Sequence, residues 1–463
     1  MTTFIVICIA IAESFSRGAY AQLPAPAVAS SPAATVKVDG SAPVGISHFL
    51  PGYTFDQCTL RADLAQCGRK GIDAQAAAAA RDVLSGVGPH YANVQLYGWG
   101  SSNPEPEPGK FDLSSLRARL DIIRETHGTP VITLCCSPDW MAGGDVGSSY
   151  SKLMYSFPKP EHWDAYAELA ARVAAENQDV QYFQVWNELK GLYAKDGSFQ
   201  RWDYESYTAF YNKVFDAVKR VRPDAKIGGP YPPIRAWRIG KGPSPSGVRV
   251  AALEIDRRGL EAVEYWLRNK RGADFIALDG SNRTREPDSN APRNEFDGSY
   301  EACDVFAKVV DWIRSLDERE YPGARSLPIA WSEWYAFPGP GGEAASSMAQ
   351  CLIPTIRSGA FTAMIWGAEG HGDTGQSFPL GLWTGTVGGG GKPTDFYFIA
   401  RGLIRHFPPG TRLYRTETQG PVGALSSDRT TMLVNQTSSL LEVRLNGRLI
   451  RLKPHEVVFA ATR

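Results

Sequence analysis

Short, unbroken apolar runs alternate with amphipathic stretches along most of this chain. The runs begin near Val44 (VGISHF), Tyr91 (YANVQL), Pro130 (PVITLC), Tyr182 (YFQVW), Lys226 (KIGG), Phe275 (FIAL), Pro328 (PIAW) and Thr362 (TAMIW). Runs that are continuous, not alternating, suit parallel strands covered by helices on their outer face. Between them the apolar positions take helical spacing over Ala74–Ser85, Leu113–Thr126, Glu161–Asn177, Tyr204–Val221, Gly259–Lys270, Ala302–Leu316, Ala344–Ser358 and Phe396–His406. Asp203 ahead of Tyr204 and Pro223 after Val221 are start and stop signals. Eight strand-then-helix units predict an α/β fold, a (β/α)8 TIM barrel over 44–406, in preference to an open doubly wound sheet. No G-x-G-x-x-G follows the first run, which weakens a dinucleotide-binding reading further.

Beyond His406 the texture changes. Six short strand-like runs, from Arg412 to Ala461, are separated by turns such as Asn446-Gly447. They predict a small C-terminal antiparallel β-sandwich domain over 407–463, with a strand at 35–43 joining it from ahead of the barrel. At the other end, Phe4–Ala12 is apolar but too short to span a bilayer. It leads into Ala19-Tyr20-Ala21, an A-x-A cleavage pattern. Residues 1–21 therefore read as a signal peptide and 22–34, rich in Pro, Ala and Ser, as a flexible leader. The expected location is secreted or periplasmic.

Lys plus Arg and Asp plus Glu are both 49, so the formal net charge is zero. That balance gives no electrostatic case for nucleic acid or an anionic membrane as partner. Adjacent Cys135 and Cys136 lie in one strand, where side chains alternate, and read as core fillers facing opposite ways. In an exported chain Cys58 and Cys67 are candidates for a disulfide. No C-x-x-C or H-E-x-x-H spacing occurs, so neither a metal nor another cofactor is expected.

Two apolar runs stop at a glutamate: Phe183-Gln184-Val185-Trp186-Asn187-Glu188 and Ile329-Ala330-Trp331-Ser332-Glu333-Trp334. A carboxylate ending a buried strand is costly unless partners or a shifted pKa relieve it. Counted along the barrel, Glu188 ends the fourth strand and Glu333 the seventh. At Trp186-Asn187-Glu188 the chain resembles a clan A retaining glycoside hydrolase. The stretch Tyr207-Thr208-Ala209-Phe210-Tyr211 through Arg222-Pro223-Asp224-Ala225-Lys226-Ile227-Gly228-Gly229-Pro230 is similar to glycoside hydrolase family 39. β-Xylosidases, α-L-iduronidases and exopolysaccharide hydrolases belong to that family. Phe111-Asp112 and Trp366 extend the resemblance over most of the barrel. Two positions depart from the pattern: Leu189 stands where the family has Pro, and strand six ends in Asp279 where an aromatic or His is expected.

The resemblance implies Glu333 as nucleophile and Glu188 as acid/base of a double displacement on a carbohydrate. Glu188 would then be held protonated, and Glu333 ionised by surrounding donors. Asn187 would contact the sugar 2-hydroxyl, Trp366 would form an aromatic floor, and Tyr335 would tune Glu333. Trp99, Trp140 and Trp334 follow strand ends and are candidate cleft residues, as are His48, Asp279 and His371 for sugar hydroxyls. The reading is a secreted glycosidase acting on an oligo- or polysaccharide. Its alternatives are an exo-acting xylosidase- or arabinosidase-like enzyme, a transglycosylase, and a non-catalytic carbohydrate-binding barrel.

Overall fold

A computed structural model describes residues 33–54, 60, 71–99, 101–149, 152–194, 201–284, 300–338, 343–370 and 381–463. The 1–21 segment, the leader as far as Pro32, Cys58, Cys67 and His371 lie outside the described residues.

Eight parallel strands close on themselves. Strand one is Leu50–Thr54, two Tyr91–Gln95, three Thr129–Leu134 and four Tyr182–Val185. Five is Lys226–Arg238, six Phe275–Thr284, seven Ile329–Tyr335 and eight Thr362–Trp366. Each pairs with the next, eight pairs with one, and the four–five pairing shuts the barrel. Among the described residues, eight helices follow the strands, from Ala74–Val87 to Asp395–His406. Aspartates fix several helix starts: Asp73 accepts from the Ala76 amide at 2.8 Å, and Asp203 from that of Ser206 at 2.9 Å. Each satisfies a backbone donor that the first helical turn leaves unpaired. An antiparallel hairpin, Pro245–Val250 and Leu253–Asp256, extends strand five outward.

The first strand lies later than its apolar pattern suggested. Val44, Gly45 and Ile46 belong to a long strand, Ala33–Ile46, that pairs antiparallel with Arg412–Gln419. Val44 and Ile46 are exposed there, so apolar character without burial misled the reading. Strand Ala33–Ile46 also pairs parallel with Leu441–Leu445, giving a four-stranded sheet completed by Arg448–Leu452. A second sheet holds Val422–Ser426, Thr430–Asn435 and Val457–Ala461. Ala34, Val36, Leu441 and Val443 of the first sheet share one apolar core with Val422, Ala424 and Leu433 of the second. The two sheets therefore form a sandwich. Its Phe459 stacks on His406, at the end of the last barrel helix, with ring centroids 5.2 Å apart.

The cysteines differ from their sequence reading. The Cys135 and Cys136 sulfurs do not face opposite ways but lie 2.7 Å apart, both buried. Cys303 and Cys351 form a disulfide across 48 residues, a pairing that no short spacing advertised.

Inside the barrel, below the strand ends, a polar layer crosses four strands. Thr133 Oγ1 donates to Asn93 Oδ1 at 2.7 Å, and Gln184 Nε2 donates to Thr133 Oγ1 at 2.5 Å. Asn93 Nδ2 reaches Thr54 at 3.4 Å. Buried polar groups hold only while partnered. Thr133→Val keeps the shape but deprives Asn93 and Gln184 of a partner, so urea unfolding should show a loss of about 1–3 kcal/mol. An unchanged midpoint and slope would mean that the layer contributes nothing.

Candidate active site

Strand four ends in a tight turn that presents Asn187, Glu188 and Lys190 at the barrel mouth. The Trp186 side chain points away from the mouth into an aromatic cluster, 4.8 Å from Phe157 and 6.0 Å from Phe210. Its indole N–H donates to the Lys190 carbonyl at 2.9 Å, which ties the turn down. Trp186, Glu188 and Leu189 have φ of 67°, 49° and 54°, in the left-handed region. Such backbone is costly for residues with a Cβ and concentrates at functional sites. At Leu189 it also explains the departure from Pro, whose ring fixes φ near −65°.

Strand seven supplies Glu333, 5% exposed, directly in register with Asp279 of strand six. One carboxylate oxygen each from Glu188, Asp279 and Glu333 lie within 4.8 Å of one another. Carboxylates this close could hold a cation, and the Lys190 ammonium stands against one of them. It donates to Glu188 Oε2 and to Asn187 Oδ1. Around Glu333, Tyr335 donates to Oε1, while Tyr231 and Asn187 donate to Oε2 at 3.2 and 3.4 Å.

Burial and mutual repulsion set the protonation. Burial, then the charge of Glu188, push the Glu333 carboxyl up to about 7, against the pull of Lys190 and of the Tyr335 and Asn187 donors. Burial also works against ionising Glu188, yet the charge of Lys190, with Asp279 beside it, outweighs it and holds that carboxyl below the ordinary value. Asp279 is driven well above its ordinary value by burial and by both glutamates. The donors expected around Glu333 are present, but the elevated carboxyl expected at Glu188 is found at Asp279 and Glu333 instead.

The sequence candidates divide accordingly. Glu188, Glu333, Asn187, Tyr335 and Asp279 converge. Trp366 and Trp99 are half-buried and meet edge to face at 5.3 Å, with Lys190 5.6 Å from the Trp99 ring centroid. Trp140 is tied to the loops after strands two and three, donating to the Glu105 carbonyl at 2.8 Å and packing on His162 at 5.2 Å. Trp334 is not a cleft residue. It neighbours the inward Glu333 on one strand, so it faces outward, fully buried against Phe306 of helix Val305–Ser315 at 5.4 Å. His48 is not one either: it precedes strand one, exposed, at the end of the barrel away from the strand termini. Sequence reasoning missed Lys190 and Tyr231. Lys190 stands two residues past Glu188, and Tyr231 immediately follows the Gly-Gly-Pro of strand five, so both were within reach of the motifs.

No protein-family model matches the chain. A β-xylosidase of Caldicellulosiruptor saccharolyticus is 22% identical over 240 residues, which is 50% of this chain and 42% of that enzyme. The chain thus spans under half the length of the curated relative it matches. Among solved structures, a monomeric β-xylosidase from Caulobacter crescentus CB15 superposes with a TM-score of 0.56 at 16% identity, covering 89% of this chain and 83% of that one. The family 39 glycoside hydrolase from Xanthomonas axonopodis pv. citri gives 0.55 at 16% identity over 89% and 77%. A bacterial orthologue of human α-L-iduronidase gives 0.53 at 14% identity over 90% and 69%. The chain has the (β/α)8 fold of solved family 39 glycoside hydrolases.

Proposed function

We propose that this chain is a retaining glycoside hydrolase, exported from the cell, that acts on an oligo- or polysaccharide. One observation carries the reading: Glu188 and Glu333, ending strands four and seven of one closed barrel, bring carboxylate oxygens within 4.8 Å of each other. Retaining pairs stand about 5–5.5 Å apart, whereas an inverting pair needs roughly 6.5–9.5 Å to admit water between them. Export is supported by the apolar run at Phe4–Ala12 and its A-x-A pattern. Among the described residues, no helix is long and apolar enough to cross a membrane.

In this reading Glu333 attacks the anomeric carbon while Glu188 protonates the departing oxygen. Tyr231, Tyr335 and Asn187 aim Glu333 and stabilise its charge. Water then enters, Glu188 takes its proton, and the sugar leaves with its starting configuration. Trp99 and Trp366 offer faces on which sugar rings stack. The relatives named as β-xylosidases support removal of a terminal sugar as the alternative mode. A non-catalytic carbohydrate-binding barrel is the second reading, favoured by the Lys190–Glu188 ion pair, which opposes protonation of the acid.

Glu333→Ala should lower turnover on the order of 10⁴-fold, and NMR of the first product released by the wild type should show retained anomeric configuration. Near-normal activity in the variant would remove Glu333 from the chemistry, and inversion would sink the double displacement. Inactivity of the wild type across a panel of aryl glycosides and polysaccharides would favour the binding barrel.

The pH profile gives a separate check. Glu333 attacks only when ionised, so with its carboxyl at about 7 the rate should rise as pH passes through neutrality. Lys190 lowers that value, so Lys190→Met should move the rising limb to higher pH. A limb near pH 4–5, unmoved by the substitution, would contradict this electrostatic arrangement.

A further inference from the structure

The site holds one carboxyl more than a double displacement uses. Asp279 lies midway along strand six, in register with Glu333 on strand seven and Pro233 on strand five, and it is 7% exposed. The charged and titratable groups around it come from three sides. Glu188 and Lys190 approach from the turn after strand four, Tyr231 from strand five, and Glu333 and Tyr335 from strand seven. Arg235, also on strand five, acts on Glu188. Three carboxylates against two cations would leave a buried pocket negative, which a nearby proton relieves.

Geometry says where that proton lies. One carboxylate oxygen of Asp279 lies within 4.8 Å of one of Glu188 and of one of Glu333. Carboxylates only accept, so a cluster this close and this buried is relieved by an O–H on one of them. Lys190 donates to Glu188, and Tyr335, Tyr231 and Asn187 donate to Glu333, so those two are the ones stabilised as carboxylates. The O–H therefore belongs to Asp279.

We propose that Asp279 is the proton store of the acid/base: it holds the proton that Glu188 delivers to the leaving oxygen, and receives it back in the second half of the reaction. The assignment rests on the retaining-glycosidase reading and resolves a difficulty in it, since an acid paired with a lysine is a poor proton donor. In the first step the Asp279 proton passes to Glu188, and Glu188 passes its proton to the glycosidic oxygen. The bond from that oxygen to the anomeric carbon breaks with its electron pair going to oxygen, as Glu333 forms the ester. Asp279 is left as a carboxylate beside Lys190. In the second step a water oxygen bonds to the anomeric carbon as the ester bond breaks, its pair returning to Glu333. The water proton goes to Glu188 and on to Asp279. The elevated Asp279 carboxyl agrees with this resting state. Asp279 acts through Glu188, so its role is to supply and position the proton.

Asp279→Asn keeps the size and a hydrogen-bond donor but has no proton to transfer. Wild type and variant would be compared on a dinitrophenyl glycoside, whose leaving group needs no acid, and on the matching methyl glycoside or disaccharide, which does. On the poor leaving group kcat/KM should fall about 100-fold or more, while the dinitrophenyl substrate changes by only a few-fold. The basic limb of the pH profile should move about one unit lower, because the proton must then sit on Glu188 beside Lys190. Asp279→Glu restores a carboxyl and should recover part of the loss on the poor leaving group. This second variant keeps the test decisive if Asp279→Asn folds badly. Equal losses on both leaving groups with an unmoved basic limb, or an Asp279→Glu variant with no recovery, would overturn the assignment. A wild type inert on every glycoside would remove the glycosidase reading and this assignment with it. An active wild type beside a uniformly impaired variant would remove this assignment alone.

Discussion

Like charge crowded at one barrel mouth is the constraint around which the site is arranged. Two ionised carboxylates 4.8 Å apart at an effective dielectric constant near 20 repel by about 3 kcal/mol. Ionised together, Glu188, Asp279 and Glu333 would form three such pairs. The Lys190 ammonium is the counter-charge, and burial works against its charge while Glu188 and Glu333 hold it firmly protonated. Without it the carboxyls would have to take up protons, and a protonated Glu333 has no nucleophilic role. Chemistry and stability thus draw on one ion pair.

That ion pair depends on a short stretch of backbone. Lys190 reaches Glu188 and Asn187 because the chain turns sharply after strand four, through left-handed residues at Trp186, Glu188 and Leu189. The conformation is held from outside: Trp186 is wedged among Phe157, Tyr166 and Phe210, and its indole N–H grips the Lys190 carbonyl. Tyr207, on helix Tyr204–Val221, donates to the Val185 carbonyl at 2.9 Å and secures the strand end. The aromatic packing behind the barrel wall is how the local strain is sustained.

Much of this was legible in the chain. Continuous apolar runs marked seven of the eight barrel strands because parallel strands are buried on both faces, and Glu188 and Glu333 stood out as charges where such runs end. The first strand was misplaced because Val44 and Ile46 are apolar yet exposed on a sheet of the sandwich. Trp334 was assigned to the cleft from its position near a strand end, but alternation along the strand sends it outward when Glu333 points in. Lys190 and Tyr231, though next to motifs, were passed over for another reason. Their importance comes from what the fold brings within bonding distance, Glu188 in one case and Glu333 in the other, and neither belongs to a periodic pattern. Asp279 was noticed as a departure, but only its register with Glu333 shows why a third carboxyl there matters.

Direct trapping of the covalent intermediate tests the central claim. The protein would be incubated with a panel of activated 2-deoxy-2-fluoroglycosides, the adduct detected by intact mass and the modified residue mapped by peptide sequencing. With Glu333 as nucleophile, the label sits on the peptide containing Trp331-Ser332-Glu333 and its carboxyl carries the sugar. A label on Glu188 or Asp279 instead would contradict the assignment of roles within the carboxyl cluster.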